Sequence, residues 1–139
     1  MRAGNNNNAI PSHVLVVDDY DDAREMYAEF LELAGYRVSQ AKNGAEALRK
    51  ASDLLPDIIL MDLSLPDIDG SDVASRLRKD PRTERIPVVV VTGHPPDDVK
   101  GRMLHYDAFV TKPCPPDELV GEVARLLASK KRAGPIRSR

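Results

Sequence analysis

The segment Ile58-Ile59-Leu60-Met61-Asp62 sets four apolar residues in an unbroken row and closes them with an acid. Two other segments follow the same plan: Val14-Leu15-Val16-Val17 ends at Asp18, and Val88-Val89-Val90-Val91 ends at Thr92. Short apolar runs without polar alternation fit strands covered on both faces, as in a parallel sheet. Tyr36 to Gln40 and Ala108 to Thr111 read as two weaker strands. Helical patterns fill the gaps. Ala23, Met26, Tyr27, Phe30, Leu31 and Ala34 recur at three- and four-residue spacing, with Gly35 as the stop. Asn43 followed by Glu46 resembles a capping box ahead of Ala47, Leu48 and Ala51. Val73, Ala74 and Leu77 mark a third helix between Gly70 and Pro81, and a short fourth is expected from about Asp97 to His105, weakened by Gly101. Pro116, Asp117 and Glu118 open a fifth, carrying Leu119, Val123, Leu126 and Leu127. Five β-α pairs in this order imply an α/β protein whose parallel sheet has helices on both faces.

A chain of 139 residues is the length of one domain. The ends read as tails: residues 1–12 contain the polar run Asn5 to Asn8, and residues 130–139 are basic and broken by Gly134 and Pro135. The expected domain is 13–129. The 20 basic and 22 acidic residues give a net charge of −2, but five of the bases lie in 130–139. Residues 1–129 therefore hold 15 bases against 22 acids, a balance that disfavours nonspecific nucleic-acid binding. Asp18, Asp19, Asp21 and Asp22 are clustered and suggest a cation. The single cysteine, Cys114, excludes an intrachain disulfide and a cysteine-based zinc site, and fits a packing or capping role. His13, His94 and His105 lack ligand spacing. No apolar run approaches the roughly 18 residues of a membrane span, and residues 1–8 lack a signal-peptide core. The expectation is a cytoplasmic protein with no membrane partner.

In open α/β sheets, ligands bind beyond the carboxyl ends of the strands. There the first strand brings Asp18 and Asp19, the third Asp62, the fourth Thr92 and the fifth Lys112; the second brings nothing evident. Each residue alone has a plain reading: loop acids capping a helix, a turn acid, an ordinary threonine, a solvated lysine. Together they constrain the chemistry. Three close carboxylates need protons or a cation. Oxygen-only ligands with few protein donors favour Mg2+ beside a phosphate. Lys112 adds a positive charge and Thr92 a donor, a set suited to phosphoryl transfer, with Asp62 best placed as nucleophile.

These segments resemble the receiver domain of bacterial-type response regulators of two-component signalling, a chemotaxis-receiver-like domain. The resemblance rests on Val-Leu-Val-Val-Asp18-Asp19, Asn43-Gly44-Ala45-Glu46-Ala47-Leu48, Asp62-Leu-Ser-Leu-Pro66-Asp-Ile-Asp-Gly70, Val-Val-Val-Val-Thr92 and Thr-Lys112-Pro113, which together cover about residues 13–128. It implies the flavodoxin-like (βα)5 doubly wound sheet of strand order 2-1-3-4-5. It also implies roles. Asp62 would accept a phosphoryl group from a sensor histidine kinase or a histidine phosphotransfer protein. Asp19, Asp62 and the Ser64 carbonyl would bind Mg2+ directly, with Asp18 acting mainly through water. Thr92 would be the switch hydroxyl, and Lys112 would pair with a phosphoryl oxygen ahead of a Pro113 whose peptide bond is often cis. Phe109 would be the aromatic switch residue. Output would pass to a downstream protein, from a monomer or weak dimer.

The chain also departs from the pattern. Thr92 to Lys112 spans 20 positions, short for the family, and Pro95-Pro96 restricts where a fourth helix can begin. Leu104-His105-Tyr106-Asp107-Ala108 replaces the usual small-Gly-Ala-Asp step, and Gly93 and Phe109 are variants. The expected function is a stand-alone, phosphorylation-dependent switch rather than an enzyme, with no second domain after residue 129 and so no specific nucleic-acid binding. One competing reading is a receiver cut from a transcription factor or hybrid kinase. Another is an aspartyl-phosphate phosphohydrolase, disfavoured because Asp62-Leu63-Ser64 lacks the second acid of an Asp-x-Asp pair. A pseudo-receiver is disfavoured because every expected site residue is present.

Overall fold

The computed structural model describes residues 10–93 and 106–137. The N-terminal tail through residue 9, the Pro95-Pro96 pair and the expected helix at 97–105 lie outside them. Five strands form one parallel sheet: β1 (His13–Val17), β2 (Arg37–Ala41), β3 (Ile58–Met61), β4 (Val88–Thr92) and β5 (Ala108–Thr111). Their order is β2-β1-β3-β4-β5. Helices α1 (Asp21–Leu33), α2 (Gly44–Leu54), α3 (Gly70–Lys79) and α4 (Pro116–Arg137) connect or follow them.

The apolar runs are continuous because both faces of the sheet are covered. Leu15, Val17, Ile59, Met61, Val88 and Val90 pack under α2 and α3 with Ala47, Ala51, Val73 and Leu77. The alternate residues Val14, Val16, Ile58, Leu60, Val89 and Val91 pack on the other face, against Tyr27 and Leu31 of α1 and Leu119 and Val123 of α4. Each fully buried aliphatic side chain contributes about 1.5–3 kcal/mol relative to exposure. Edge strand β2 has one neighbour, which is why its sequence pattern is weak.

Local signals set the helix ends. The α1 helix stops at Gly35, whose φ of +103 suits glycine. There the Tyr36 N–H donates to the Leu31 carbonyl and the Gly35 N–H to that of Glu32, a Schellman arrangement. At α2 the Asn43 side chain accepts from the Glu46 N–H, while the Glu46 carboxylate accepts from Lys42 rather than Asn43.

Of the apolar positions spaced along α1, Met26 and Phe30 are exposed, and the buried face of the helix is Arg24, Tyr27, Ala28 and Leu31. Two adjacent stripes of this helix carry apolar side chains, and the sheet takes the one that also buries Arg24. The α4 helix runs beyond Ser129 to Arg137, through Gly134 and Pro135, where a tail was expected. Pro135 lies near the helix end, where its missing N–H costs one helical bond.

Asp107 ties the start of β5 to its neighbours. Its Oδ2 accepts from Arg78 Nη2 at 2.6 Å and from the Val88 N–H at 2.7 Å, joining α3, β4 and β5 at the sheet edge opposite the strand C-termini. Cys114 is buried in the core beneath α1 and α4.

Candidate functional site

Parallel strands in register deliver their C-terminal residues to one edge. Val17 pairs with Met61, and Met61 with Val90, so Asp18, Asp62 and Thr92 leave neighbouring strands at similar heights. The structure brings Asp18, Asp19 and Asp62 together, with one carboxylate oxygen from each lying within 4.8 Å of the others. Asp18 and Asp62 are buried and Asp19 is exposed. Lys112 bridges the buried pair, its Nζ donating to Asp18 Oδ2 at 2.8 Å and to Asp62 Oδ2 at 3.2 Å. Burial opposes the Lys112 ammonium, but the bonds and charges of Asp18 and Asp62 outweigh it and hold its pKa above the ordinary lysine value.

Backbone donors hold the remaining oxygens. The Tyr20 N–H donates to Asp18 Oδ1 at 2.9 Å, and the Ser64 N–H to Asp62 Oδ1 at 2.9 Å. Ser64 itself is exposed. Thr92 is buried at the end of β4, and its carbonyl accepts from the Lys112 N–H. The Lys112-Pro113 bond is cis. Phe109 lies on β5, half-buried against the core under α2 and α3. His13 stands at the N-terminal end of β1, its Nε2 within 2.7 Å of Ser39 Oγ. His94 and His105 lie outside the described residues.

The loop after β3 is pinned by contacts that the sequence did not reveal. A Cβ on Gly70 would stand 2.7 Å from the Asp62 carbonyl oxygen and from Leu63 Cα, so only glycine lets α3 begin this close to Asp62. Asp67 reaches across to α2, accepting from the Gly44 N–H at 2.7 Å and the Ala45 N–H at 2.9 Å. These bonds, Ala45 first and then Gly44, hold its carboxyl below the ordinary aspartate value. A depressed pKa stabilises the fold above the unfolded value, about 3.9, and that contribution fades as pH falls through the folded value. Asp67→Ala should therefore lower the melting temperature at pH 7, with the gap from wild type closing in acid. A gap of equal size in strong acid would show that the ionised carboxylate is not the latch.

Oxygen-only donors, few in number and with one exposed member, fit a hard divalent cation such as magnesium. The response regulator receiver domain model matches residues 14–124. The chain is 40% identical over 124 residues to the phosphate regulon transcriptional regulatory protein PhoB of Pseudomonas aeruginosa, covering 88% of this chain and 53% of that one. It is 33% identical over 106 residues to the polar-differentiation response regulator DivK of Brucella anthropi, covering 75% and 86%. Among solved structures, response regulator TrrA of Thermotoga maritima, in complex with Mg2+ and BeF, superposes with a TM-score of 0.74 at 31% identity, covering 83% of this chain and 98% of that one. The chain spans about half the length of the curated relatives it matches first.

Proposed function

This chain belongs to the response regulator receiver domain family of two-component systems, and from that premise we propose that it accepts a phosphoryl group on Asp62 from a sensor histidine kinase or histidine phosphotransfer protein and signals by a conformational switch. The observation that carries the reading is the Lys112 ammonium bridging Asp18 and Asp62 at the sheet edge where Thr92 also ends. An Asp62 carboxylate oxygen attacks phosphorus on the donor's phosphohistidine. The O–P bond forms as the P–N bond breaks, and the electron pair stays on the imidazole nitrogen. Lys112 follows the incoming charge from carboxylate to phosphoryl oxygen, and the Thr92 hydroxyl turns toward that oxygen. Asp19, Asp62 and the Ser64 carbonyl would hold a magnesium ion, with Asp18 acting through water, and the ion would supply the charge that admits a dianionic group. The protein is a phosphoacceptor that assists its own phosphorylation and dephosphorylation rather than an enzyme turning over external substrates.

A stand-alone receiver, with output to a downstream protein as part of the proposal, is supported by the likeness to DivK, 86% of whose length is matched. A second reading, a receiver within a longer transcriptional regulator, is favoured by PhoB, of which this chain spans 53%. Nucleic acid as a partner is therefore no longer excluded. The size of the full-length gene product separates the two readings. No helix among the described residues is long and apolar enough to cross a membrane; a cytoplasmic location remains part of the proposal.

The switch is tested with beryllofluoride, a stable phosphoryl mimic. A ligand shifts an equilibrium only through contacts that differ between the two states. Here those contacts are with Thr92 and Lys112. Backbone NMR shifts should therefore extend from Asp62 along β5 through Phe109 to the start of α4, and Thr92→Ala should shrink the distal shifts while leaving phosphoryl uptake largely intact. Shifts confined to the neighbours of Asp62 would make the protein a phosphate relay or sink.

A further inference from the structure

Arg24 is a charged side chain that the phosphoryl chemistry does not use, yet it is only 9% exposed. It lies on α1, five positions after Asp19. Its guanidinium forks to three elements. Nη1 donates to the backbone carbonyl of Asp18 at 3.0 Å, Nε to Gln40 Oε1 at 2.9 Å, and Nη2 pairs with Asp21 Oδ1 at 2.8 Å. The Asp18 carbonyl belongs to the peptide plane that leads into Asp19. The other side of Asp18 is fixed as well, since its N–H donates to the Ala41 carbonyl at the end of β2.

We propose that Arg24 is a positioning residue for the cation site, setting the Asp18–Asp19 peptide so that the exposed Asp19 carboxylate faces Asp62. This rests on the reading of Asp18, Asp19 and Asp62 as a magnesium site. The physical argument is one of freedom. Asp18 is held through its side chain by Tyr20 and Lys112. Asp19 is exposed, and no side-chain hydrogen bond to its carboxylate is recorded among the described residues. Its direction is inherited from the backbone, and Arg24 is the side chain that grips that backbone. A planar fork can satisfy acceptors on β2, on the β1–α1 loop and on α1 together; an ammonium at the same place cannot. The second strand thus serves the site after all, through Gln40 as an anchor for the fork.

The test is magnesium binding by titration calorimetry on the full chain, with melting curves in chelator to establish folding. Arg24→Met should weaken magnesium binding roughly 10–100-fold, the usual cost of losing a residue that orients metal ligands. Arg24→Lys, which keeps the charge, should still lose several-fold, and in both variants the Asp19 amide resonance should move in metal-free protein. Asp107→Ala, at the opposite edge of the sheet, should lower the melting temperature without changing magnesium affinity. Wild-type affinity in a folded Arg24→Met would overturn the proposal. Full affinity in Arg24→Lys would overturn it too, because charge alone would then suffice; if Arg24→Met does not fold, this variant decides. Wild-type protein that binds no magnesium would instead remove the metal reading underneath.

Discussion

Asp62→Ala is expected to abolish acid-stable, hydroxylamine-labile labelling from acetyl phosphate or from a phosphorylated kinase. The rival acceptor is Asp18, which is also buried and lies closer to Lys112, at 2.8 Å against 3.2 Å. Position separates them. Asp62 ends β3, whose neighbours are β1 and β4, so it stands between Asp18 on one side and Thr92 on the other. Asp18 ends β1 and has β2 rather than β4 on its far side. Both carboxylates accept a backbone N–H on Oδ1, from Tyr20 at Asp18 and from Ser64 at Asp62, and Lys112 on Oδ2, but the Asp18 side chain is 5% exposed against 11% for Asp62. An incoming phosphoryl group meets a more accessible oxygen at Asp62, with the ammonium and the threonine both at hand. The check is mass-spectrometric mapping of the acyl phosphate in wild type and variant. Full labelling of Asp62→Ala, mapped to Asp18 or Asp19, would overturn the assignment.

The strand ends were readable because a polar residue closing an unbroken apolar run can point only off the edge of a sheet covered on both faces. That logic found Asp18, Asp62, Thr92 and Lys112, and the strand order followed from the resemblance they completed. It could not find Arg24. Periodicity fixes that α1 has an apolar face but not its phase when Met26 and Phe30 lie beside Tyr27 and Leu31. A basic residue standing alone among Asp21, Asp22 and Glu25 was the available signal. Gln40 and Asp67 were hidden for a different reason. Each serves through contacts distant in sequence, Gln40 with Arg24 and Asp67 with the start of α2, and no spacing rule predicts such pairs. The helix through Gly134 and Pro135 shows a limit of breaker residues, which raise the cost of a helix without forbidding its last turns.

Removing the metal should have an effect as large as removing the acceptor. Asp18, Asp19 and Asp62 place three carboxylates within 4.8 Å of one another, and Lys112 supplies one ammonium against them. At such distances unit charges interact by about 4 kcal/mol even at an effective dielectric of 20. A dianionic phosphoryl group approaching that excess of negative charge is repelled unless a cation joins the cluster. Labelling should therefore require magnesium or manganese and stop with excess chelator. Asp19→Asn should weaken magnesium binding by roughly 100-fold, the upper end of what loss of a supporting residue costs, because this carboxylate is proposed as a direct ligand. Asp18→Asn should cost less, since its carboxylate is engaged by Tyr20 and Lys112. The order of the two variants carries the information. A greater loss at Asp18 than at Asp19 would move the direct ligand to the buried side of the site, and labelling at an unchanged rate in excess chelator would leave Lys112 as sufficient charge for the transfer.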